Sequence, residues 1–255
     1  MLGRLRSVAR RVLGVTRAST YYLPWLTRPG LECVVLVNNI ESRFTSGRDA
    51  AGLEATVTQY DAEGRVVGVY ATTLDDSADT REVHLTPTAT GHGFVTVRAP
   101  RIHSDLYVTL VDGDAYTATH GRQEFVEGYP AWTRAALAVA GGVLARVGRT
   151  VPLFARDQYV YHGPDSRTHV LLFNLSNVVN RIRVVATRAG VPTGTRLLRL
   201  PPMGSALLDV GTLGPAAGGL VVDRLHLTGN AWFNLYLVGA GTRDLDGALS
   251  LMHVK

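Results

Sequence analysis

A short apolar run that stops at asparagine occurs twice in this sequence. It reads Cys33-Val34-Val35-Leu36-Val37-Asn38 in the first half and His169-Val170-Leu171-Leu172-Phe173-Asn174 in the second. Runs of this kind, rich in β-branched and aromatic residues and closed by a turn-former, read as buried strands. Their surroundings correspond as well. Each is preceded by a basic amphipathic segment and then by an aromatic, proline-bearing connector. Each is followed by hairpins, the last of which ends on a histidine, His120 or His253. That repeated order constrains the chain to two copies of one unit. The unit, of about 130 residues, is too long for a solenoid or propeller repeat.

The strands within each copy follow from alternation and turn residues. In the first, 53–60 and 65–74 flank the turn Asp61-Ala62-Glu63-Gly64, then come 82–85 and 93–98, and 106–111 with 115–120 close the unit. In the second, 181–186, 196–200, 205–210, 219–223, 235–237 and 248–253 take the same order. Short strands with turn signals between them argue for antiparallel sandwiches. The expected fold is all-β: two tandem antiparallel β-sandwich (jelly-roll-like) pseudo-repeats, each preceded by a short amphipathic helix. The boundaries implied are a helix at 1–18, a sandwich at 19–128, a connecting helix at 129–150 and a second sandwich at 151–255.

Charge is unevenly placed. Residues 1–31 carry Arg4, Arg6, Arg10, Arg11, Arg17 and Arg28 and no acid, although the whole chain has a net charge of only +5. At helical spacing, Leu2, Leu5, Val8, Ala9, Val12, Leu13 and Val15 share one arc with arginines on both sides. Such a helix suits the headgroup boundary of an anionic membrane, where arginine stems reach back to phosphates. The second helix resembles the first in charge, because residues 128–156 are also free of acid. Trp132, Leu137, Val139, Val143, Leu144 and Val147 fall on its broad apolar side, and Ala138, Gly141, Gly142 and Ala145 lie opposite. One large face and one small face predict a helix packed across the junction of the two units. Neither helix carries an apolar stretch long enough to span a bilayer.

Motifs for chemistry are sparse. The single cysteine, Cys33, rules out an internal disulfide, and its apolar run makes it a buried hydrophobe. None of the eight histidines falls in a helical metal-ligand spacing. His120 and His253 are the candidate pair for a ligand site, with Asp105 or Asp244 able to complete a metal set if the two hairpin ends converge. Asn38 and Asn174, with Tyr22 and Tyr161 near them, are candidate ligand-binding positions, since amide and aromatic groups together suit a sugar or peptide. The alternative for each asparagine is a bond to the following turn. No nucleophile elbow or phosphate loop is present, and the paired carboxylates lie in turns.

These features point to a non-enzymatic binding or scaffold protein, cytoplasmic and peripheral at an anionic membrane surface, with no cofactor and no catalytic residue. Arg4, Arg6, Arg10, Arg11 and Arg17 would make the anion contacts. A protein or glycan partner is also compatible. The alternative is a capsid-like assembly protein whose basic arm binds nucleic acid. A third reading is an enzyme or lectin-like module acting on a glycan or small metabolite.

Overall fold

The computed structural model describes residues 12, 14–45, 52–76, 78–88, 91–121, 123–164, 166–215, 218–241, 245 and 249–253. They form four antiparallel sheets. The first half contributes β1 (Thr16–Leu26), β2 (Leu31–Asn38), α1 (Glu41–Thr45), β3 (Leu53–Asp61), β4 (Val66–Leu74), β5 (Thr80–His84), β6 (His92–Arg98), β7 (Leu106–Asp112), β8 (Ala115–Gly121) and β9 (Gln123–Gly128). After α2 (Ala131–Ala145) come β10 (Phe154–His162), β11 (Arg167–Asn174), β12 (Asn180–Arg188), β13 (Val191–Leu200), β14 (Ser205–Asp209), β15 (Val221–Gly229), β16 (Phe233–Ala240) and β17 (Leu249–His253). The sheets run β4-β3-β6-β1-β9 and β5-β2-β7-β8, then β13-β12-β15-β10 and β14-β11-β16-β17. Without β9, each sheet of the first half becomes a sheet of the second when nine is added to every strand number.

Alternation explains the ordinary strands. In β3, Leu53, Ala55, Val57, Gln59 and Asp61 are buried while the residues between them are exposed or half-buried. Ile182, Val184 and Ala186 do the same on β12. The β12–β13 hairpin turns through Ala189 and Gly190, with φ of 49° and 84°. Two consecutive positive φ values match the twist of a two-residue hairpin.

The two anchor strands are β2 and β11, and β11 is buried along nearly its whole length. The reason is that β11 serves two cores. Val170 and Leu172 point into the second sandwich with Leu235 and Leu237. Leu171, Phe173 and Leu175, with Tyr236, Val238 and Leu251, join the core of the first. At this seam the Tyr22 ring meets Phe173 and Tyr236 edge-on, with centroids 6.0 and 5.8 Å away. Phe94 packs on Phe173 at 5.2 Å. Backbone bonds close the seam: Glu127 N–H donates to Leu175 O at 2.9 Å and Ser205 N–H to Ala62 O at 3.0 Å. The two sandwiches are therefore joined through the face of β11 and β16, and not through the connecting helix.

Three expectations need correction. The first helix was expected to continue to residue 18, but β1 begins at Thr16 and Gly14 turns beforehand with φ of 63°. The rest of that helix, except Val12, lies outside the described residues. The aromatic connectors before each anchor run are strands, β1 and β10. The helix at 131–147 forms as Ala131–Ala145, yet it does not pack between the units.

Candidate functional site

Of the large apolar face expected to be buried, helix α2 buries only Leu137 and half-buries Leu144. Its buried residues are Thr133, Leu137 and Gly141, one per turn. Leu137 packs with Tyr129, Val178 and Ala231 at one end of the second sandwich, with Val15 and Leu153 alongside. Trp132, Val139 and Val143 face outward, 57%, 70% and 59% exposed, and Val147 in the turn after the helix is 68% exposed. Ala135, Ala136 and Ala140 on the same side are exposed too. A surface helix with its apolar side turned to water is unusual, because patches of this kind mark interaction sites. Arg134, Arg146 and Arg149 are exposed as well, Arg146 on the side of Trp132 and Val139 and Arg134 beside the buried strip.

The inversion follows from what lies beneath the helix. Arg181, the second residue of β12, lies under Gly141, where a Cβ would come within 2.9 Å of its Nη1 atom. The adjoining surface is small and polar: Thr150 Oγ1 donates to Arg181 O at 2.6 Å, and Asn230 Oδ1 accepts from Arg181 N–H at 2.6 Å. A glycine and a threonine fit that surface and a tryptophan does not. The N-terminal segment enters beside it, with Gly14 against the Pro130 ring at the start of α2.

The expected ligand residues do not gather. Tyr22 is buried in the ring cluster at the seam. Asn174 is buried, and its amide donates to Val178 O at 2.7 Å and to Pro201 O at 2.6 Å. Asn38 is 8% exposed and accepts weakly from Ile40 N–H at 3.4 Å. Both asparagines face the turn that follows them, so Tyr22, Asn38 and Asn174 do not form an open rim. Tyr161 is 59% exposed on the outer face of β10, away from all three. His120 is half-buried against the Tyr107 ring, and its carbonyl accepts from Tyr236 Oη at 2.8 Å. His253 pairs in register with Tyr236 on β16, and its strand β17 lies against β8, which carries His120. Among the described residues, no three metal-ligating side chains come together. Arg17 belongs to β1, where its guanidinium holds the buried Glu127 carboxylate at 3.1 Å, with the Tyr129 hydroxyl donating to the other oxygen at 2.8 Å. It is a structural ion pair and not a free anion contact. Arg4, Arg6, Arg10 and Arg11 lie outside the described residues.

No known protein family and no curated protein matches this chain.

Two further arrangements escaped sequence reasoning. His162 Nε2 lies 2.7 Å from Asp223 Oδ2, and Arg188 holds the same carboxylate from 2.8 Å. The bond from Arg188 leads the causes that keep the Asp223 carboxyl below its ordinary range. A histidine oriented by a carboxylate can act as a base. Here the imidazole is only 5% exposed and Arg188 shares the carboxylate, so the trio ties the far ends of β10, β15 and β12 together. The second arrangement is a cleft of about 720 Å³ between residues 25–33 on one side and 84–88 with Gly91 on the other, lined in part by Arg28, Glu32 and His84. His84 Nδ1 contacts Glu32 Oε1 at 2.5 Å, so these two groups partner each other. None of the expected ligand residues lines this cleft.

Proposed function

We propose that this chain is a non-enzymatic binding or scaffold protein that rests on an anionic membrane surface from the cytoplasmic side. The observation that carries the reading is the outward apolar face of α2. Trp132, Val139 and Val143 are exposed on a helix whose other exposed residues are alanines and Arg134, and Val147 is exposed in the turn that follows. A lipid interface removes that face from water while leaving the arginines among headgroups. Among the described residues no helix is long and apolar enough to cross a membrane, so α2 would lie in the interface plane. The N-terminal segment, with Leu2, Leu5, Val8, Arg4, Arg6, Arg10 and Arg11, is proposed as a second amphipathic contact beside it. The matching strand orders support a further part of the reading: the two sandwiches are jelly-roll-like copies of one ancestral unit, each introduced by such a helix.

Co-sedimentation with vesicles tests it. The wild-type protein should pellet with phosphatidylglycerol vesicles and stay in solution with phosphatidylcholine vesicles. Val139→Asp/Val143→Asp should abolish the pelleting and leave the melting temperature in place. Trp132 should shift its emission to the blue on binding, since Trp25 is 1% exposed and Trp232 is packed beside Phe154. Absence of pelleting on either vesicle removes the proposal, as does salt-sensitive retention on a DNA duplex without vesicle binding.

A further inference from the structure

The two halves of the molecule differ sharply in charge. Residues 32–127 contain seven arginines against fifteen acids, and residues 128–255 contain twelve arginines and one lysine against six aspartates. Much of the second half's excess lies on the outer face of the β10-β15-β12-β13 sheet, at the end that α2 caps. Arg181 and Arg199 are direct cross-strand partners. Arg183 follows two positions along β12, on the same face, opposite Thr228 and Leu197. Like charges directly opposite one another destabilise a sheet. Among the described residues nothing on this face neutralises them. Asp157 on β10 is taken by Arg224 at 3.1 Å and His226 at 2.9 Å. Arg183 and Arg199 have no ion pair among the described residues, and Arg181 Nη1 is buried without a hydrogen-bond partner. Exposed Arg149 adjoins them through Thr150, which bonds the Arg181 backbone.

We infer that this arginine corner holds the phosphates of anionic lipid headgroups, so that the molecule meets the bilayer with the α2 end of its second sandwich and holds its acidic first sandwich away. The inference rests on the membrane reading above and adds the orientation and the headgroup site. Guanidinium forks bind phosphate oxygens in pairs, and a phosphate held by Arg183 and Arg199 offsets their repulsion from Arg181, whose Nη1 lies under Gly141 of α2. The site lies at the same end of the sandwich as the apolar face of α2. Insertion of Trp132 and Val143 would therefore bring the arginines to headgroup depth.

The test compares wild type, Arg183→Gln/Arg199→Gln and the control Arg65→Gln/Arg81→Gln on the first sandwich. Each is titrated with vesicles of equal parts phosphatidylglycerol and phosphatidylcholine. At roughly fivefold per arginine near the surface, the corner variant should partition about thirtyfold more weakly. The control should bind as wild type, and the corner variant should melt no lower than wild type. If Val139→Asp/Val143→Asp abolishes binding but the corner variant binds as wild type, the corner is not the site and the membrane reading stands. Equal losses in corner and control variants overturn the orientation. Displacement of the wild type from vesicles by millimolar inorganic phosphate would show a free-phosphate site and overturn the headgroup assignment. No vesicle binding by the wild type overturns both readings.

Discussion

Phe173 is the place to test whether the two sandwiches are one folding unit. It is fully buried, and its ring touches Tyr22 and Phe94 of the first half and Tyr236 of the second, all within 6.0 Å between centroids. Phe173→Ala empties the middle of the seam while the backbone of β11 stays fixed by β14 and β16 on either side. Collapse into the void is therefore limited, and the loss should fall in the range of about 3–5 kcal/mol for such truncations. For a chain of this size each kcal/mol moves the melting temperature by about 2–4 °C, giving a drop of about 6–20 °C. Scanning calorimetry should show a single transition in both proteins, with calorimetric and van't Hoff enthalpies that agree. The contrasting variant is Val143→Asp. An exposed valine replaced by aspartate should change stability by no more than about 0.5 kcal/mol. Two transitions in the wild type, of which Phe173→Ala moves only the upper or lower one, would refute the shared core.

Three other outcomes are expected. Cys33 is 6% exposed and burial pushes its thiol up to about 12, so it should resist a thiol reagent in native buffer and react only at the rate of global opening; rapid labelling would refute its placement. Asp223→Ala strands His162 and Arg188 and should cost about 3 kcal/mol by urea denaturation. Because the folded Asp223 carboxyl is held below the ordinary value of about 3.9, its contribution is present above that pH and is lost as pH falls through the lower folded value; the variant's deficit should shrink only in that acid range. Gly64→Ala places a Cβ 2.0 Å from Pro202 O at a φ of 79°, so the β3–β4 turn should lift off the second half and lower the melting temperature by several degrees; an unchanged value would refute that contact.

The all-β character was legible because most strands alternate or carry a continuous β-branched run. Strands β1 and β10 were not, for two reasons. Pro24 suggested a connector, yet β1 pairs with β9 only up to Tyr21, and beyond it a missing N–H costs little. β10 mixes Arg156, Asp157 and Gln158 with Tyr159 and Tyr161, a polar pattern suited to a strand whose outer face is in solvent. The anchor strands were recognised, but the reason Val170 to Phe173 of β11 are all apolar was hidden, because periodicity cannot say that a strand serves two cores. The helix failed differently. Spacing grouped Leu137 with Trp132, Val139 and Val143, and Ala138 with Gly141, but Leu137 is buried beside Gly141 and Ala138 is exposed; for Trp132, Val139 and Val143 the assumption that the larger face is the buried one was wrong. What decided the matter was Arg181 beneath Gly141, a tertiary contact between residues forty positions apart. The candidate site was legible in its ingredients, arginine and apolar residues without acid, but not in its location. The strand register that sets Arg181 against Arg199 has no local signature.

A shared core changes what the surface can do. Were the sandwiches hinged, the acidic first half could swing toward the arginine corner and screen it. Joined through Phe173, Tyr22 and Tyr236, the two charge densities stay apart, and the molecule carries a fixed electrostatic polarity. Screening limits its reach to about 8 Å at physiological salt, so the charge steers and orients only close to a surface. In the proposed membrane contact, affinity would then come mainly from the exposed side chains of α2, at about 1.5 kcal/mol or more for each large residue buried. This division makes sense of the inverted helix. A stability-optimised α2 would turn Trp132 and Val143 inward, and the chain instead spends its small residues on Arg181 and leaves the large ones facing out. The stability of the fold does not depend on that face, since the cores are closed by β11 and β16, which leaves the helix free to serve a partner surface.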